Sequence, residues 1–480
     1  MEELTLYARD VISGLGVSYG DVRFVERRLE NVEIRNGTPH AVSSQISRGI
    51  GIRVVYNGSW GFAATSRLNR RSIGKACRDA VKIARAGRAA RRIHVALVDA
   101  APVVAEYTTP FVEDPFEVPL TEKLSLLSQA DKALAGEPRV KVRRATYQGL
   151  DARTIFASTE GSLIKQRIVQ TGAGIMATAV GDGDAQVRSY PHSFRGNFQS
   201  TGFEFVRGLE LAEHAPRVAS EAAALLSAPT LPEDKRTVIL EGGQLGLQVH
   251  ESIGHPIELD RILGMEAAYA GTSFVEPSML GSFRYGSPHV NVVADATEPL
   301  GLGTFGYDDE GVPATRVDII KEGVLVGLLT SRETAGTLGQ VSNGTMRADG
   351  WARIPLIRMT NINLLPGEVR LDDLLADSPG ALYLATNRAW SIDDKRLNFQ
   401  FGTEIAYEVE SGRLGKIYKN PSYTGITPEF WGSCDAVCGR EDWNMWGTPN
   451  CGKGQPSQTA RVGHGTAPVR FRNVRVGVYQ

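Results

Sequence analysis

Two Asn-Gly pairs near the start of the chain place the strongest constraint on its fold. Asn36-Gly37 and Asn57-Gly58 each lie between stretches in which apolar and polar residues alternate. Asn-Gly is the favoured pair for a tight turn between antiparallel strands, because both residues tolerate the left-handed backbone that this turn requires. Since 52 of the 480 residues are glycine, we expect such turns to recur and to connect many short strands.

The order of helical and strand patterns divides the chain into two parts. Apolar residues at helical spacing over residues 72–88 and 209–226 flank strand patterns in the first part. A polar stretch with two prolines, residues 227–235, is typical of a linker. Strand patterns dominate after it. We therefore predict an α+β fold, with an N-terminal domain of antiparallel sheet and helices over residues 1–228 and a mostly β C-terminal domain over residues 229–480.

Composition and charge exclude several classes of protein. The 53 Lys and Arg residues balance 54 Asp and Glu residues, for a net charge of -1, whereas proteins that grip nucleic acid usually carry a basic excess. Nucleic-acid binding is therefore not expected. The four cysteines are too few for a disulfide framework. The start of the chain has no signal-peptide pattern, and no run of 18 apolar residues occurs, so we expect a cytoplasmic protein without a membrane segment.

A possible dinucleotide motif is rejected on its context. Gly301-Leu-Gly-Thr-Phe-Gly306 matches GxGxxG, but the fingerprint requires a helix to begin at the last glycines, and turn residues follow instead. The acidic residues of that turn, Asp308, Asp309 and Glu310, are expected to be solvated rather than to bind a metal.

The pattern His250-Glu-Ser-Ile-Gly-His255 is the feature with the clearest chemistry. It resembles the HExxH motif of zinc peptidases with one residue added between the histidines. On a regular α-helix the two rings would lie about 140° apart and could not share an ion. A widened turn of the π type would bring them together. Gly254 gives the backbone freedom for that turn, and Pro256 biases His255 away from the regular helical backbone.

The chemistry of this pattern is that of a hydrolytic metal site. Neutral imidazoles bind Zn²⁺, which activates water, and Glu251 lies next to one ligand, where it could act as general base. The motif alone is also compatible with a chance string on a helix.

A third ligand is needed, and the residues leave several alternatives open. The candidates are Glu258, Asp260, His289, His464, Cys434, Cys438 and Cys451. Cys434 and Cys438 could share one face but are more often core residues at such spacing. Cys451 follows Pro449 and precedes Gly452, and a rigid loop of this kind is a favourable place for a soft ligand.

The chain resembles the TldD/PmbA family, historically labelled "modulator of DNA gyrase", over nearly its whole length. The motifs that carry the resemblance are Arg35-Asn-Gly37, Arg48-Gly-Ile-Gly-Ile-Arg-Val54, Trp60-Gly-Phe-Ala-Ala-Thr65, His250-Glu-Ser-Ile-Gly-His255, Asp308-Asp-Glu-Gly311, Arg358-Met-Thr-Asn361 and Asn450-Cys-Gly-Lys453. The combination is specific, although no single motif is.

The resemblance implies a zinc metallopeptidase of the TldD type. In that type the two motif histidines and a C-terminal cysteine bind zinc and the motif glutamate is the base, which corresponds here to His250, His255, Cys451 and Glu251. It also implies a dimer, either with a motif-less TldE/PmbA-like paralogue or with itself, and an internal cavity that admits short or unfolded peptides. Two other hypotheses remain: a zinc protein without catalysis, and a regulator that acts by binding, linked to gyrase or DNA.

Overall fold

The computed structural model describes residues 1–89, 94–181 and 183–479. The elements of the first part are α1 Glu2–Ser13, β1 Tyr19–Arg35, β2 Thr38–Tyr56, β3 Ser59–Thr65, α2 Arg70–Gly87, β4 Val104–Thr108, α3 Leu120–Leu134, β5 Val140–Ser158, β6 Leu163–Gly181, β7 Asp184–Tyr190, β8 Asn197–Gln199, α4 Phe203–Gly208 and α5 Leu211–Ser227. Within all of the residues that the structure describes, no helix is both long and apolar enough to cross a membrane.

The second part is richer in strands. Its elements are β9 Asp234–Leu240, α6 Gly242–Val249, α7 Leu259–Ile262, α8 Ala267–Ala270, β10 Val292–Asp295, β11 Arg316–Lys321, β12 Val324–Leu325, β13 Met346–Arg347, β14 Leu356–Ile357, β15 Ile362–Leu364, α9 Leu371–Ala376, β16 Leu382–Ile392, β17 Asn398–Glu410, β18 Arg413–Tyr418, β19 Pro421–Ile426, α10 Thr427–Gly432, β20 Cys434–Val437, β21 Asn444–Lys453, β22 Gln458–Thr466 and β23 Val469–Val478. The α+β class and the β-rich C-terminal region are thus as predicted, and the exact division at residues 228 and 229 stays a prediction.

A large, mostly antiparallel sheet dominates the first part. Its strands run in the order β3-β2-β1-β5-β6-β4, and β7 and β8 also pair with β6. Only the β4–β6 pair is parallel among the pairs described for this sheet. Asn36 and Asn57 have φ of 48° and are followed by Gly37 and Gly58 at 81° and 73°, so both predicted Asn-Gly turns join paired strands. Helices α3 and α5 pack on this sheet through one apolar cluster, and α1 and α2 through another.

A ring of strands organises the second part. The path β16-β9-β23-β19-β17 closes on itself, because β16 also pairs with β17. Closure satisfies the backbone of strands that would otherwise form sheet edges. Helix α6 leaves the ring directly after β9, and the hairpin β21–β22 lies against α6. The ring therefore fixes the start of the segment that carries the histidine motif.

Buried ion pairs join the two parts. Arg53 on β2 bonds Asp21 and, at 3.2 Å, Glu310 of the second part, and its side chain is 2% exposed. Asp308 is also buried and accepts backbone N–H bonds from Glu310 and Val312. The expectation that this acidic turn is solvated is therefore wrong for Asp308 and Glu310, because long-range partners and backbone donors satisfy both carboxyl groups.

We predict that Arg53→Met destabilises the whole chain strongly. Asp21 and Glu310 would lose their shared guanidinium while staying buried, which typically costs about 3–5 kcal/mol in the free energy of unfolding. Denaturant titration measures this. The matched control is Arg370→Met, whose side chain is 66% exposed and whose loss should change stability by less than about 0.5 kcal/mol. Equal midpoints for the two variants would contradict the prediction.

Candidate metal centre

The histidine motif forms a widened turn at the end of α6. Glu241 starts that helix by accepting hydrogen bonds from the backbone N–H groups of Gly243 and Gln244 at 2.9 and 3.1 Å. From His250 to Gly254 the turn is of the π type, and the N–H of His255 donates to the carbonyl of His250 at 3.1 Å. This i→i+5 bond adds the one residue that the motif needs for both rings to reach one point.

The two residues that flank His255 act differently from one another. A Cβ on Gly254 would lie 2.2 Å from the Met359 sulfur, so any side chain here would displace the buried Met359. The expected effect of Pro256 is wrong, because His255 keeps helical dihedral angles of -68° and -42°. The proline instead follows the last hydrogen-bonded residue, where its missing N–H costs nothing.

The turn and the hairpin β21–β22 bring three metal-binding side chains together. Cys451 lies on β21 opposite Ala460 on β22. One ligand atom from each of His250, His255 and Cys451 lies within 4.8 Å of the others. All three side chains are buried, and the Cys451 sulfur is 3.7 Å from Nε2 of His255. The structure thus assembles the residues that the resemblance implied.

The other third-ligand candidates lie elsewhere or have other roles. His289 is exposed, and Cys434 and Cys438 are buried in the apolar core around β20. Burial raises the pKa of both thiols to about 12, so both stay protonated. For Cys451, by contrast, burial is outweighed by His250, His255 and Arg358, and its pKa falls well below the ordinary value. Only a thiolate binds metal well.

Each histidine is oriented by a partner on its other ring nitrogen. Nδ1 of His464 lies 3.3 Å from the carbonyl oxygen of Ile362, which can only accept, so this nitrogen carries the proton. Nε2 of His464 then accepts from Nδ1 of His250 at 2.8 Å. Nδ1 of His255 donates to Glu258 at 3.0 Å. Both pairs leave Nε2 of His250 and of His255 available to a metal.

A buried charge network holds Glu258 in place. The Lys453 ammonium lies 3.1 Å from Glu258 and 2.7 Å from Asp260, and all three side chains are buried. Burial would raise the pKa of Glu258, but Lys453 and His255 hold it far below its usual range. In the same network burial would lower the pKa of His255, whereas Cys451 and Glu258 raise it to about 9. Glu258 and Asp260 therefore orient and compensate charge rather than add ligands.

Glu251 faces this cluster from the same turn, and a guanidinium holds it. Arg396, in the loop between β16 and β17, forms an ion pair with the Glu251 carboxylate. Burial alone would raise the pKa of Glu251, but His250, Arg396 and His255 together lower it. The side chain is 8% exposed, so the carboxylate stays ionised at the edge of the buried cluster. Nothing in the sequence pattern pointed to Arg396.

The donor set fits zinc. Two imidazoles and one thiolate are ligands of borderline and soft character, and Zn²⁺ accepts both. Three protein ligands are also the number typical of catalytic zinc sites, which keep a fourth position open. Hard cations such as Mg²⁺ and Ca²⁺ prefer oxygen ligands, which this cluster does not present.

Comparisons with known proteins agree over most of the chain. Three models described as PmbA/TldA metallopeptidase match: domain 1 over residues 20–84, the central domain over residues 113–228 and the C-terminal domain over residues 233–478. A metalloprotease of Methanothermobacter thermautotrophicus is 30% identical, and the alignment covers 96% of each chain. A zinc metalloprotease TldD homolog of Saccharolobus solfataricus is 24% identical, with 97% of this chain and 98% of that one covered.

Solved structures show the same fold. A protein of Thermotoga maritima described as a modulator of a DNA gyrase aligns with a TM-score of 0.77 at 20% identity and 99% coverage of both chains. TldE from Thermococcus kodakarensis aligns with a TM-score of 0.71 at 14% identity, again with 99% of both chains covered.

We predict that Glu258→Gln weakens zinc binding about 10- to 100-fold, as is typical when a partner of a histidine ligand is lost. The amide keeps the shape but loses the charge that His255 and Lys453 require. Competition with a chromophoric chelator measures the affinity. The control is Glu276→Gln at an exposed position, and an unchanged Kd in the Glu258 variant would contradict the orienting role.

Proposed function

The chain belongs to the PmbA/TldD family of metallopeptidases, and we propose that it is a zinc metallopeptidase that hydrolyses peptide bonds in short or unfolded peptides. The observation that carries the proposal is the convergence of His250, His255 and Cys451 within 4.8 Å of one another beside Glu251. In this proposal the first three hold the metal and Glu251 is the general base.

Zinc held by His250, His255 and Cys451 would act as a Lewis acid and would lower the pKa of a bound water toward neutrality. The chain supplies the rest. His250 and His255 are held with Nε2 toward the cluster by His464 and Glu258. Their rigid placement in a buried site avoids the cost of reorganising dipoles during the reaction.

Glu251 manages the proton in this proposal. Its carboxylate is ionised because nearby positive groups lower its pKa, so it can accept a proton from the attacking water and pass it to the leaving amine. Arg396 donates to one carboxylate oxygen, Oε2, and a side-chain hydrogen bond from Trp390 also helps to lower the pKa of Glu251. A base whose side chain is held in one direction suits a single proton transfer at a defined place.

A site without catalysis is the second candidate. A purely structural zinc would have no use for an ionised glutamate beside its ligands, and structural zinc sites usually have four protein ligands. A regulatory role by binding is the third, suggested by the description of the Thermotoga protein as a modulator of a DNA gyrase. The net charge of -1 disfavours direct contact with nucleic acid.

Partner and location are part of the proposal. We expect a dimer, with itself or with a TldE/PmbA-like chain that lacks the histidine motif, and the likeness to TldE supports a shared architecture for the two types. We expect a cytoplasmic location. The two-domain division, with the zinc site in the C-terminal domain of residues 229–480, belongs to the same proposal.

We predict that Glu251→Gln keeps zinc and fold but lowers peptide hydrolysis by about 10²–10⁴-fold, because proton transfer is lost while no ligand is changed. Zinc content and turnover are measured on the same preparation. Glu276→Gln, far from the motif in sequence and exposed, is the control. Near-normal turnover with full zinc would show that Glu251 is not the base. A zinc-loaded wild type without turnover would instead favour the zinc protein without catalysis.

We predict that the zinc-loaded protein cleaves an unfolded polypeptide and a mixed peptide pool but spares a stable folded domain. An extended peptide can bind by adding main-chain hydrogen bonds to a strand, whereas a folded domain already has these groups paired. Product formation is followed by mass spectrometry, with a chelator as the control. Equal chelator-sensitive cleavage of folded and unfolded forms would contradict the selection. If no substrate is cleaved, adding the motif-less paralogue tests whether a partner is required.

A further inference from the structure

A cavity lies where the two parts of the chain meet. It has a volume of about 150 Å³ and is lined from one side by β1, β5 and β6 of the large sheet. The other side is formed by residues 302–309 and 347–350 and by the hairpin β21–β22. Since one water occupies about 30 Å³ of liquid, this space holds several waters or a small polar group.

Four arginines line the cavity, and two of them have no counter-charge. Arg23 pairs with Asp309 at 3.2 Å and Arg27 with Asp349 at 2.5 Å. Within the described residues, neither Arg347 nor Arg461 has a carboxylate at ion-pair distance. Arg347 donates to the carbonyl oxygen of Met359 at 3.0 Å, a neutral partner. Arg461 is buried and Arg347 is half-buried, and a buried cation without an anion is costly.

The cost of an unpaired buried charge is largest for Arg461. Its side chain is buried, Nη2 donates to Gln148, and Nη1 is buried with no hydrogen-bond partner. Burial and the nearby Arg27 lower its pKa to about 9. The pKa of Arg347 is lowered in the same way, to about 10, by withdrawal from water and by the nearby Arg358. An anion in the cavity would relieve both.

The remaining acid at the cavity wall does not supply that anion. Asp308 accepts backbone N–H bonds from Glu310, Val312 and Met346. Burial and Glu310 raise its pKa well above the ordinary value. The lining therefore carries four guanidiniums against the carboxylates of Asp309 and Asp349, which are already paired with Arg23 and Arg27.

The cavity borders the proposed zinc centre through one hairpin. Pro449 lines the cavity and lies two residues before Cys451 on β21, a distance of about 7 Å along a strand. Ala460, which is paired with Cys451, is also part of the lining. A group bound in the cavity would thus lie one or two peptide residues from the metal ligands.

We propose that this cavity binds a carboxylate of the peptide substrate, with the guanidiniums of Arg461 and Arg347 as its partners. The inference rests on the proposed peptidase function for the identity of the ligand. Guanidinium groups bind carboxylates through two parallel hydrogen bonds, and Nη1 of Arg461 is free to make one. Two sources supply the same chemistry: the C-terminal carboxylate of a peptide, and an Asp or Glu side chain near the cleaved bond.

Peptide binding to Glu251→Gln, the variant expected to bind peptide without turnover, separates these sources. Four matched peptides are compared. Each carries either a free C-terminal carboxylate or a C-terminal amide, and either Glu or Gln two residues from the middle of the peptide. We expect the carboxylate form from one source to bind about 10- to 100-fold more tightly than its neutral counterpart. Equal Kd values for all four peptides would overturn the proposal. Because binding is measured, a lack of hydrolysis would refute the peptidase function without refuting the carboxylate site.

Arg461→Met supplies a readout that a structural arginine would not give. The variant should keep or raise the melting temperature, since it removes an uncompensated buried charge. It should also lose the stabilisation that acetate gives to wild type over chloride at equal ionic strength. Arg475→Met, with a side chain 70% exposed, should respond to acetate as wild type does. An acetate response that persists in Arg461→Met, or that is absent in wild type, would overturn the assignment. If Arg461→Met fails to fold, the peptide series decides instead, because Glu251→Gln retains Arg461.

Discussion

The hydrogen bond from the N–H of His255 to the carbonyl of His250 is the interaction on which the site depends. A regular helix would close its bonds four residues back and send the two rings in different directions. The i→i+5 bond inserts one residue and lets both Nε2 atoms approach the Cys451 sulfur. The ring of strands anchors the start of α6, and Met359 packs where Gly254 has no side chain. The fold is thus arranged to hold one irregular turn.

Buried charge surrounds this turn and is compensated on nearly every side. Lys453 pairs with Glu258 and Asp260, and Arg396 pairs with Glu251. These pairs contribute little net stability compared with apolar packing, but removing one partner would leave a buried charge alone. Their effect is to fix direction and ionisation, which catalysis requires. The guanidinium of Arg461 differs, because no carboxylate of the described residues pairs with it. We therefore infer that a ligand supplies the missing negative charge.

Local signals in the sequence predicted local structure well. The Asn-Gly turns, helix α2 and the widened turn follow from residues close together in the chain, because backbone freedom and spacing decide them. The positions of His464 and Arg396 could not be predicted, since each meets its partner across 214 or 145 residues. The prediction that the acidic turn around Glu310 is solvated was wrong for the same reason, because its partner Arg53 is 257 residues away in the chain. Tertiary contacts of this kind produce no periodic pattern in the amino-acid sequence.

Metal analysis of three purified proteins tests the central claim most directly. Wild type, Cys451→Ala and Cys438→Ala are each saturated with zinc, dialysed and assayed for metal per chain. The account predicts one zinc per chain in wild type and in Cys438→Ala, whose thiol is protonated and remote from the cluster. It predicts loss of that zinc in Cys451→Ala, where two imidazoles alone remain. Full zinc occupancy in Cys451→Ala, or its loss in Cys438→Ala alone, would contradict the account.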